Sequence, residues 1–411
     1  MNARLPIVVL CSVVIASASP AMQPSPEWFQ WRGPNRDGIS SETGLLKTWP
    51  QSGPPMVWRA AGAGAGYSSF SASGGRLYTL GARGNTEYVV AFDHATGKKV
   101  WEHANGRRFQ NEQGDGPRST PTVDGDRLYV LGGSGDLTCL EAATGRRIWS
   151  LNLVQSFGGV NPYWGYSESP LIVGDRILVN AGGNRASIVA VSKADGQTLW
   201  QQHSDEAGYS SPMLLRTGSL AQVVFFTGSR VLAVDPRDGR LLWSYPKVAN
   251  NTANIATPIV RGNRVFVSSD YGTGGALLDV KAAGNIASAS EVYFTREMRN
   301  HHASSLLIGD HIYGFSSSIL TSLRFDTGMM AWRDRSVGKG SLIYADERLY
   351  LFGLEGVVGL AEASPVGYRE HGRFRLPQLS GQPTYSDLVI AHGFLIVRDQ
   401  DIVYAYDVRG R

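Results

Sequence analysis

Tyrosines and cationic residues recur at one position of a repeated sequence pattern. Each repeat has a Ser-x-Pro or Thr-x-Pro step, or its equivalent, before an apolar run. The residues three positions before that proline, or in the equivalent place, are Tyr67, Arg118, Ser167, Tyr209, Ile255, His302, Lys339 and Tyr385. Aromatic faces beside guanidinium and ammonium groups can stack on a flat ligand and hydrogen-bond to its carboxylates. If the fold brings these positions together, they predict a site for a flat anion, a sugar acid or an acidic peptide.

Two connections between the repeats are long, and both flank this set of residues. They are EHANGRRFQNEQGDGPR, residues 102–118, and SLNLVQSFGGVNPYWGYSE, residues 150–168. Long loops on a rigid scaffold commonly carry binding residues. Further candidates from these loops are Arg107, Arg108, Tyr163, Trp164 and Glu168. The alternative is that these polar residues merely line a solvated opening, with or without a ligand.

Other kinds of chemistry find little support in the sequence. His301 and His302 are adjacent, and neighbouring strand residues point to opposite faces, so we expect no shared metal ion and name no metal ligand. No nucleophile elbow and no glycine-rich phosphate loop is present. We therefore expect a binding protein rather than an enzyme and assign no catalytic residue.

The elements that must position these residues are short strands. The segment AFDHATGKKVW, residues 91–101, combines a strand end, a turn with Thr-Gly, and a tryptophan, and it recurs with variations along the chain. Most tryptophans of this pattern recur at intervals of roughly 40 to 50 residues, as in propeller blades, and the 89 residues from Trp243 to Trp332 leave room for two units. Because a large aromatic side chain buries much apolar area, we interpret them as wedges between blades. They are Trp58, Trp101, Trp149, Trp200, Trp243 and Trp332.

Polar hairpins such as STPTVDGDRLYVL, residues 119–131, complete each unit to four antiparallel strands. We count eight units, which predicts an all-β, eight-bladed β-propeller with almost no helix. The last unit lacks an outer strand, and MVWRAAG, residues 56–62, supplies one with Trp58 in the wedge position. We therefore expect the N-terminal strand to close the ring, since closure removes exposed sheet edges.

The residues before the ring divide into two predicted segments. Residues 1–18 have a basic start, an apolar run and small residues, as in a cleaved signal peptide, so we expect a periplasmic or secreted protein without a membrane anchor. Residues 19–55 form a strap, and residues 56–411 form the propeller as one domain. Our preferred interpretation packs the strap tryptophans on the outside of the ring. The alternative places Trp31 and Arg32 over the central pocket.

The formal net charge of +4 gives a mildly basic protein rather than a nucleic-acid footprint. We expect a monomer that binds a small anionic ligand or an envelope protein or peptide, and no nucleic acid.

The repeated turn, the eight-blade count and the opening WFQWRGPNRDG resemble the pyrroloquinoline quinone (PQQ) repeat propellers. That family includes quinoprotein alcohol and polyvinyl alcohol dehydrogenases and the BamB lipoprotein of outer-membrane assembly. The resemblance implies PQQ with Ca²⁺ as a possible cofactor, with oxygen ligands from Glu168, Asn254, Asp270 or Asp387. The adjacent cysteine pair of the dehydrogenases and a haem-attachment Cys-x-x-Cys-His are absent from this chain.

Three hypotheses follow. The first is an exported, non-catalytic binding or scaffold protein with its site at the central channel mouth. The second is a PQQ-dependent alcohol or polyvinyl alcohol dehydrogenase, and the third is a BamB-like outer-membrane assembly scaffold.

Overall fold

The fold is known from a computed structural model, which describes residues 27–410. The predicted signal peptide, residues 1–18, lies outside the described residues. The described part forms strands throughout, with one short helix, α1 (Leu153–Phe157). None of its helices is long and apolar enough to cross a membrane.

The first four blades are four-stranded antiparallel sheets whose strands follow one another along the chain. Two strands precede them, β1 (Ile39–Ser40) and β2 (Met56–Ala61). Blade 1 contains β3 (Ser71–Ser73), β4 (Arg76–Arg83), β5 (Thr86–Asp93) and β6 (Lys99–Arg107). Blade 2 contains β7 (Thr122–Asp124), β8 (Arg127–Leu131), β9 (Asp136–Glu141) and β10 (Arg147–Asn152). Blade 3 contains β11 (Leu171–Val173), β12 (Arg176–Asn180), β13 (Ile188–Ser192) and β14 (Thr198–Gln202). Blade 4 contains β15 (Met213–Thr217), β16 (Leu220–Phe226), β17 (Val231–Val234) and β18 (Leu241–Tyr245).

The last four blades repeat this arrangement with two variations. Blade 5 contains β19 (Ile259–Arg261), β20 (Arg264–Ser269) and the long hairpin of β21 (Gly274–Ala283) and β22 (Ile286–Thr295). Blade 6 contains β23 (Leu306–Ile308), β24 (His311–Ser316), β25 (Ile319–Arg324) and β26 (Met330–Asp334). Blade 7 contains β27 (Gly340–Ala345), β28 (Arg348–Gly353), β29 (Val357–Glu362) and β30 (Glu370–Arg375). Blade 8 contains β31 (Val389–Ala391), β32 (Phe394–Asp399) and β33 (Ile402–Asp407), and β2 is its outer strand.

The eight-bladed propeller and its closure by the N-terminal strand are confirmed. Strand β2 pairs antiparallel with β33, with Trp58 opposite Ala405. Arg398, only 1% exposed, donates hydrogen bonds from blade 8 to the carbonyl oxygens of Ser68 and Leu80 in the first unit. Because a buried guanidinium needs several acceptors, this residue ties the two ends of the ring together.

The core lies between the blades, where the faces of neighbouring sheets meet. One apolar cluster joins Leu80 and Val89 of blade 1 to Leu128 and Val130 of blade 2. Tryptophans on the outer strands extend this packing to the next blade. Trp149 of blade 2, for example, donates its indole N–H to Lys193 O of blade 3 at 3.2 Å. The equivalent bonds of Trp58, Trp101, Trp200 and Trp332 go to carbonyl oxygens of His94, Ala142, Pro236 and Ser364.

Two wedge positions depart from this pattern. Tyr293 of blade 5 donates its hydroxyl hydrogen to Phe325 O of blade 6 at 2.8 Å, so a tyrosine performs the bridging there. Trp243 precedes the irregular blade 5, and its indole N–H is donated within its own blade to Gln222 Oε1 at 2.7 Å.

The first described part of the strap enters the ring instead of lying along its outside. Trp28 bridges to Ala72 of β3, and Val123 N of β7 donates to Phe29 O. Strand β1 pairs in parallel with the inner strand β27 of blade 7. We call residues 28–40 the N-terminal plug. For residues 28–40 the preferred interpretation of the strap as an outer covering is wrong, because the innermost strands offer unpaired backbone groups that the plug satisfies. Further along the strap, Trp49 does pack on an outer strand, against Phe374 of β30.

Candidate functional site

A cavity of about 510 Å³ lies at the centre of the ring, on the face where the inner strand of each blade begins. We call this the upper face and the space the central cavity. Its lining includes all eight predicted positions, namely Tyr67, Arg118, Ser167, Tyr209, Ile255, His302, Lys339 and Tyr385. Trp164 also lines the cavity. The repeat register thus brings together residues that are far apart in the sequence.

Hydroxyl groups link the connections that carry these residues. Thr120 N donates to Ser169 Oγ, and Ser169 N donates to Ser211 Oγ, each at 2.9 Å. On the other side of the ring, Thr257 N donates to Ser304 Oγ at 2.9 Å. The serine of one blade therefore satisfies a backbone N–H of the preceding blade. This repeated bond explains the Ser-rich starts of the inner strands and holds the cavity wall in register.

Aromatic rings form much of the wall. Tyr385 contacts Tyr67 and His302, with ring centroids 5.1 and 5.2 Å apart. Trp164 lies 5.4 Å from Tyr209 on the opposite side. These separations are typical of aromatic contacts, so the rings support one another and present faces and edges to the cavity.

Two cationic side chains lie in this wall. Arg118 donates to Gly114 O and Gly116 O, each at 2.8 Å, and its guanidinium lies 5.3 Å from the centre of the Tyr67 ring. Lys339 forms no hydrogen bond or ion pair with the described residues through its ammonium group. The described lining residues include no carboxylate. Burial lowers the pKa of both cations, so an anion in the cavity would relieve an electrostatic cost.

The two histidines have different surroundings. His301 Nε2 lies 3.2 Å from the Tyr271 hydroxyl, whereas neither ring nitrogen of His302 has a hydrogen-bond partner among the described residues. Burial, reinforced by Lys339 and His301, lowers the pKa of His302 to about 3. His302 is therefore neutral at neutral pH, with one N–H to donate and one nitrogen to accept.

The floor of the cavity comes from the N-terminal plug. Trp31 lines the cavity and donates its indole N–H to Thr257 Oγ1 at 3.0 Å. Below the plug lies a second cavity of about 620 Å³, lined by Arg32, Arg36 and inner strands of blades 3 to 6. The alternative interpretation of the strap, with Trp31 and Arg32 at the central pocket, therefore matches the structure for Trp31. Arg32 lies below the central cavity and forms an ion pair with Asp387.

Several lining residues were missing from the sequence prediction. They are Gln113, Ser211, Thr252, Thr257, Tyr271, His301 and Ser304, whereas Trp31 belonged to the alternative interpretation of the strap. Thr257, Ser211 and Ser304 belong to the same Ser/Thr-x-Pro steps or their equivalents, so the repeat register could have identified them. Gln113 lies in the long connection of residues 102–118, which already predicted binding residues. Tyr271 comes from a loop outside the repeat register, and no sequence signal marks it.

The remaining loop candidates lie elsewhere. Arg107 is exposed at the end of β6, and Arg108 forms an ion pair with Asp115. Tyr163 is 62% exposed beside the cavity. Glu168 does not line the cavity. It is 2% exposed within the wall, close to the backbone N–H of Asn180, and burial raises its pKa to about 8.

The proposed calcium ligands do not converge. Asp387 forms an ion pair with Arg32. Asp270 Oδ2 accepts a hydrogen bond from Ser317 Oγ at 2.7 Å. The amide nitrogen of Asn254 donates hydrogen bonds to the carbonyl oxygens of Thr227 and Gly228. Within residues 27–410, no three His, Cys, Asp or Glu side chains are placed to share a metal ion. The described lining of the cavity offers nitrogen and hydroxyl groups and the single amide of Gln113 but no carboxylate, a set that does not fit Ca²⁺.

Comparison with known proteins identifies two groups of relatives. Quinoprotein ethanol dehydrogenase from Pseudomonas aeruginosa is 26% identical over 162 residues, which cover 36% of this chain and 26% of that protein. Outer membrane protein assembly factor BamB from Shewanella oneidensis is 25% identical over 228 residues, covering 53% of this chain and 52% of that protein. The aligned regions thus span only about a quarter to a half of these relatives.

Solved structures show the same fold at low sequence identity. BamB from Moraxella catarrhalis superimposes with a TM-score of 0.63 and 15% identity, covering 86% of this chain and 99% of that one. Quinohemoprotein alcohol dehydrogenase from Comamonas testosteroni gives a TM-score of 0.66 and 11% identity, covering 94% and 81%. A family model described as outer membrane protein assembly factor BamB matches residues 85–334. Because that match spans more than half of the chain, this eight-bladed propeller belongs to the family of outer membrane protein assembly factor BamB.

Proposed function

We propose that this protein is a non-catalytic binding protein of the cell envelope, and that its central cavity binds a small planar or ring-shaped carboxylate. The observation that carries the proposal is the cavity wall itself. Arg118 and Lys339 lie among tyrosine and tryptophan faces, and no carboxylate is present among the described lining residues. The envelope location is supported by the printed name of the family, which refers to the outer membrane.

The chemistry of the wall favours a monoanionic or dianionic ligand with a flat face. Aromatic rings stack on such a face, and charge-assisted hydrogen bonds from Lys339 and Arg118 neutralise its carboxylates. His302 adds a neutral donor and acceptor without a competing protein partner. Ser167 and Ser304 hydroxyls line the same space and suit ligand hydroxyl groups.

Isothermal titration calorimetry of the mature protein tests this proposal. The ligands are glucuronate and pyridine-2,6-dicarboxylate, with glucose as the neutral match for glucuronate. We expect saturable binding of at least one carboxylate and none of glucose. Lys339→Met should weaken binding about 10-fold or more, the usual loss for a hydrogen bond to a charged group.

The matched control is Lys281→Met, which removes an exposed lysine of β21 far from the cavity. It should leave the affinity of the wild type unchanged. Failure of both carboxylates to bind, or equal affinity of the Lys339 and Lys281 variants, would overturn the proposal.

A second candidate is a quinoprotein dehydrogenase, favoured by the alignment with quinoprotein ethanol dehydrogenase. The planar tricarboxylate PQQ suits the aromatic and cationic wall, whereas Ca²⁺ does not suit its donor set. Titration with PQQ, with and without Ca²⁺ and followed by dye-linked alcohol oxidation, distinguishes this candidate. Calcium-dependent PQQ binding with turnover would favour the dehydrogenase, and binding without turnover would leave PQQ as one more flat anion.

A further inference from the structure

A polar groove of about 910 Å³ adjoins the central cavity on the upper face. We call it the side groove. Tyr209 and Thr252 line both spaces, so the two are neighbours that share a wall. A small carboxylate would occupy the central cavity alone. A longer ligand could pass over this shared wall and occupy both spaces.

Aromatic side chains lead from the side groove into the cavity. Tyr163 lines the groove and is 62% exposed, and its ring centroid lies 5.2 Å from that of Trp164 in the cavity wall. Trp164 in turn lies 5.4 Å from Tyr209. The planes of these neighbouring rings meet at 85° and 54°, so together they form an apolar path from the groove to the cavity against which sugar rings can pack, while polar groups surround it.

The charge distribution differs between the two spaces. Arg118 and Lys339 are in the central cavity. In the side groove, Arg230 is already bonded to both oxygens of Asp205, at 2.7 and 3.0 Å, and Glu206 is an exposed carboxylate. An acidic group is therefore favoured in the cavity and disfavoured in the groove, which suits a neutral chain.

The groove is preformed and offers no sheet edge. Its lining comes from residues 160–163, 204–209, 228–230 and 250–254, all of which lie outside the strands. The side chain of Asn254 holds this surface together through hydrogen bonds to Thr227 O and Gly228 O. A peptide that binds as an added β-strand needs such an edge, whereas hydroxylated rings use polar side chains and aromatic faces.

From these contacts we infer that the ligand is an oligosaccharide of neutral sugars that ends in one uronic acid. The acidic ring occupies the central cavity, and the neutral rings continue along Trp164 and Tyr163 into the side groove. This inference rests on the proposed function, since it names the class of carboxylate that the central cavity binds.

The test is calorimetry with a panel of glucuronate-terminated and galacturonate-terminated oligosaccharides of two to six residues. Three probes accompany it: free glucuronate, the same oligosaccharides with the carboxyl group reduced to an alcohol, and an acidic peptide of similar length. We expect at least one oligosaccharide to bind about 10-fold tighter than free glucuronate. Its reduced form should bind at least about 10-fold more weakly, because the charge-assisted bonds are lost.

Single substitutions test which of the two spaces provides the additional affinity for the oligosaccharide. Tyr163→Ala should lower oligosaccharide affinity about 3- to 10-fold, the range of one aromatic contact, and should leave glucuronate affinity unchanged. Tyr163→Phe keeps the ring and should retain most of the affinity. Lys339→Met should weaken the binding of both ligands, because each places its carboxylate in the cavity.

The outcomes separate this inference from the proposed function. Equal affinity for glucuronate and for every oligosaccharide would overturn the inference and leave the proposed function standing. Binding of the peptide but of none of the oligosaccharides would also overturn it. Failure of every carboxylate to bind would overturn both.

Discussion

Arg32 of the N-terminal plug and Asp387 of the segment leading into blade 8 form a buried ion pair. Arg32 Nη1 lies 3.3 Å from Asp387 Oδ2, and the two side chains are 1% and 6% exposed. Arg32 also donates to Ser305 O near blade 6 at 3.0 Å. One side chain thus joins the plug to two distant parts of the ring.

We predict that Arg32→Ala destabilises the protein by about 3 to 5 kcal/mol, because it leaves the Asp387 carboxylate buried without its partner. The free energy of unfolding from chemical denaturation measures the loss. Arg333→Ala is the matched control, since its pair with Glu297 is exposed at 54% and 43% and should contribute about 1 kcal/mol or less. Equal losses in the two variants would contradict a structural role for the buried pair.

We predict that Trp149 stabilises the contact between blades 2 and 3. Trp149→Ala should cost about 3 to 5 kcal/mol, because it removes a buried aromatic ring that bridges blades 2 and 3. Ile148→Ala, at the exposed neighbouring position, should stay within about 0.5 kcal/mol of the wild type. Thermal unfolding compares the two, and an unchanged midpoint for Trp149→Ala would show that the ring does not act as a wedge.

Gly97 faces the ring of Trp58 where the ring of blades closes. Its φ is 68°, and a Cβ there would lie 2.5 Å from Trp58 Cε3. Gly84 has a similar φ of 55° but open space around it. Gly84→Ala should therefore cost about 1 to 2 kcal/mol for backbone strain alone.

Gly97→Ala should cost about 1 to 3 kcal/mol more than Gly84→Ala, because it also overpacks the Trp58 contact. Denaturant titration of both variants gives the difference. A zero difference would mean that the closing strand moves aside without cost.

The buried carboxyl group of Glu168 should make the stability of the folded protein depend on pH. Burial raises its pKa from 4.5 to about 8, although the Asn180 N–H and Arg36 act in the opposite direction. Between these pH values the unfolded chain releases the proton while the folded protein retains it. Stability should therefore fall as pH rises through this window, by at most about 1.4 kcal/mol per pH unit.

Glu168→Gln imitates the neutral carboxyl group and should remove that part of the slope. The control is Glu206→Gln, which changes an exposed carboxylate of the side groove. Unfolding free energies measured at intervals from pH 4.5 to 8 provide the comparison. A slope that persists in Glu168→Gln would assign the pH dependence to other groups.

Because Trp31 forms the floor of the central cavity, we predict that the N-terminal plug contributes to ligand binding. Trp31→Ala removes the floor of the central cavity and should weaken glucuronate binding about 5- to 10-fold, within the range of an aromatic contact. Trp31→Phe keeps a ring but loses the hydrogen bond to Thr257 Oγ1, so its loss should be smaller. Calorimetry measures both, and unchanged affinity in Trp31→Ala would show that the ligand does not reach the floor.

Much of the fold was predictable because its determinants are local. The turn and tryptophan of residues 91–101 recur with small variations, and each copy encodes the same hairpin and the same bridge to the next blade. The register of these copies also indicated which residues face the channel mouth, from Tyr67 to Tyr385. The repeats encode these positions because each blade packs against its neighbours in the same way.

The tertiary structure alone decided the contents of the channel and the extent of the site. Trp31 reaches Thr257, 226 positions away, through a contact that no repeat encodes. Tyr271 enters the cavity from a loop outside the repeat register, while the sequence candidate Glu168 is buried in the wall. The sequence by itself determined the ring and the identity of its mouth residues, because these follow from periodic local patterns. Only the folded chain decided how the plug divides the channel and how the side groove joins the cavity, because these depend on contacts between distant segments.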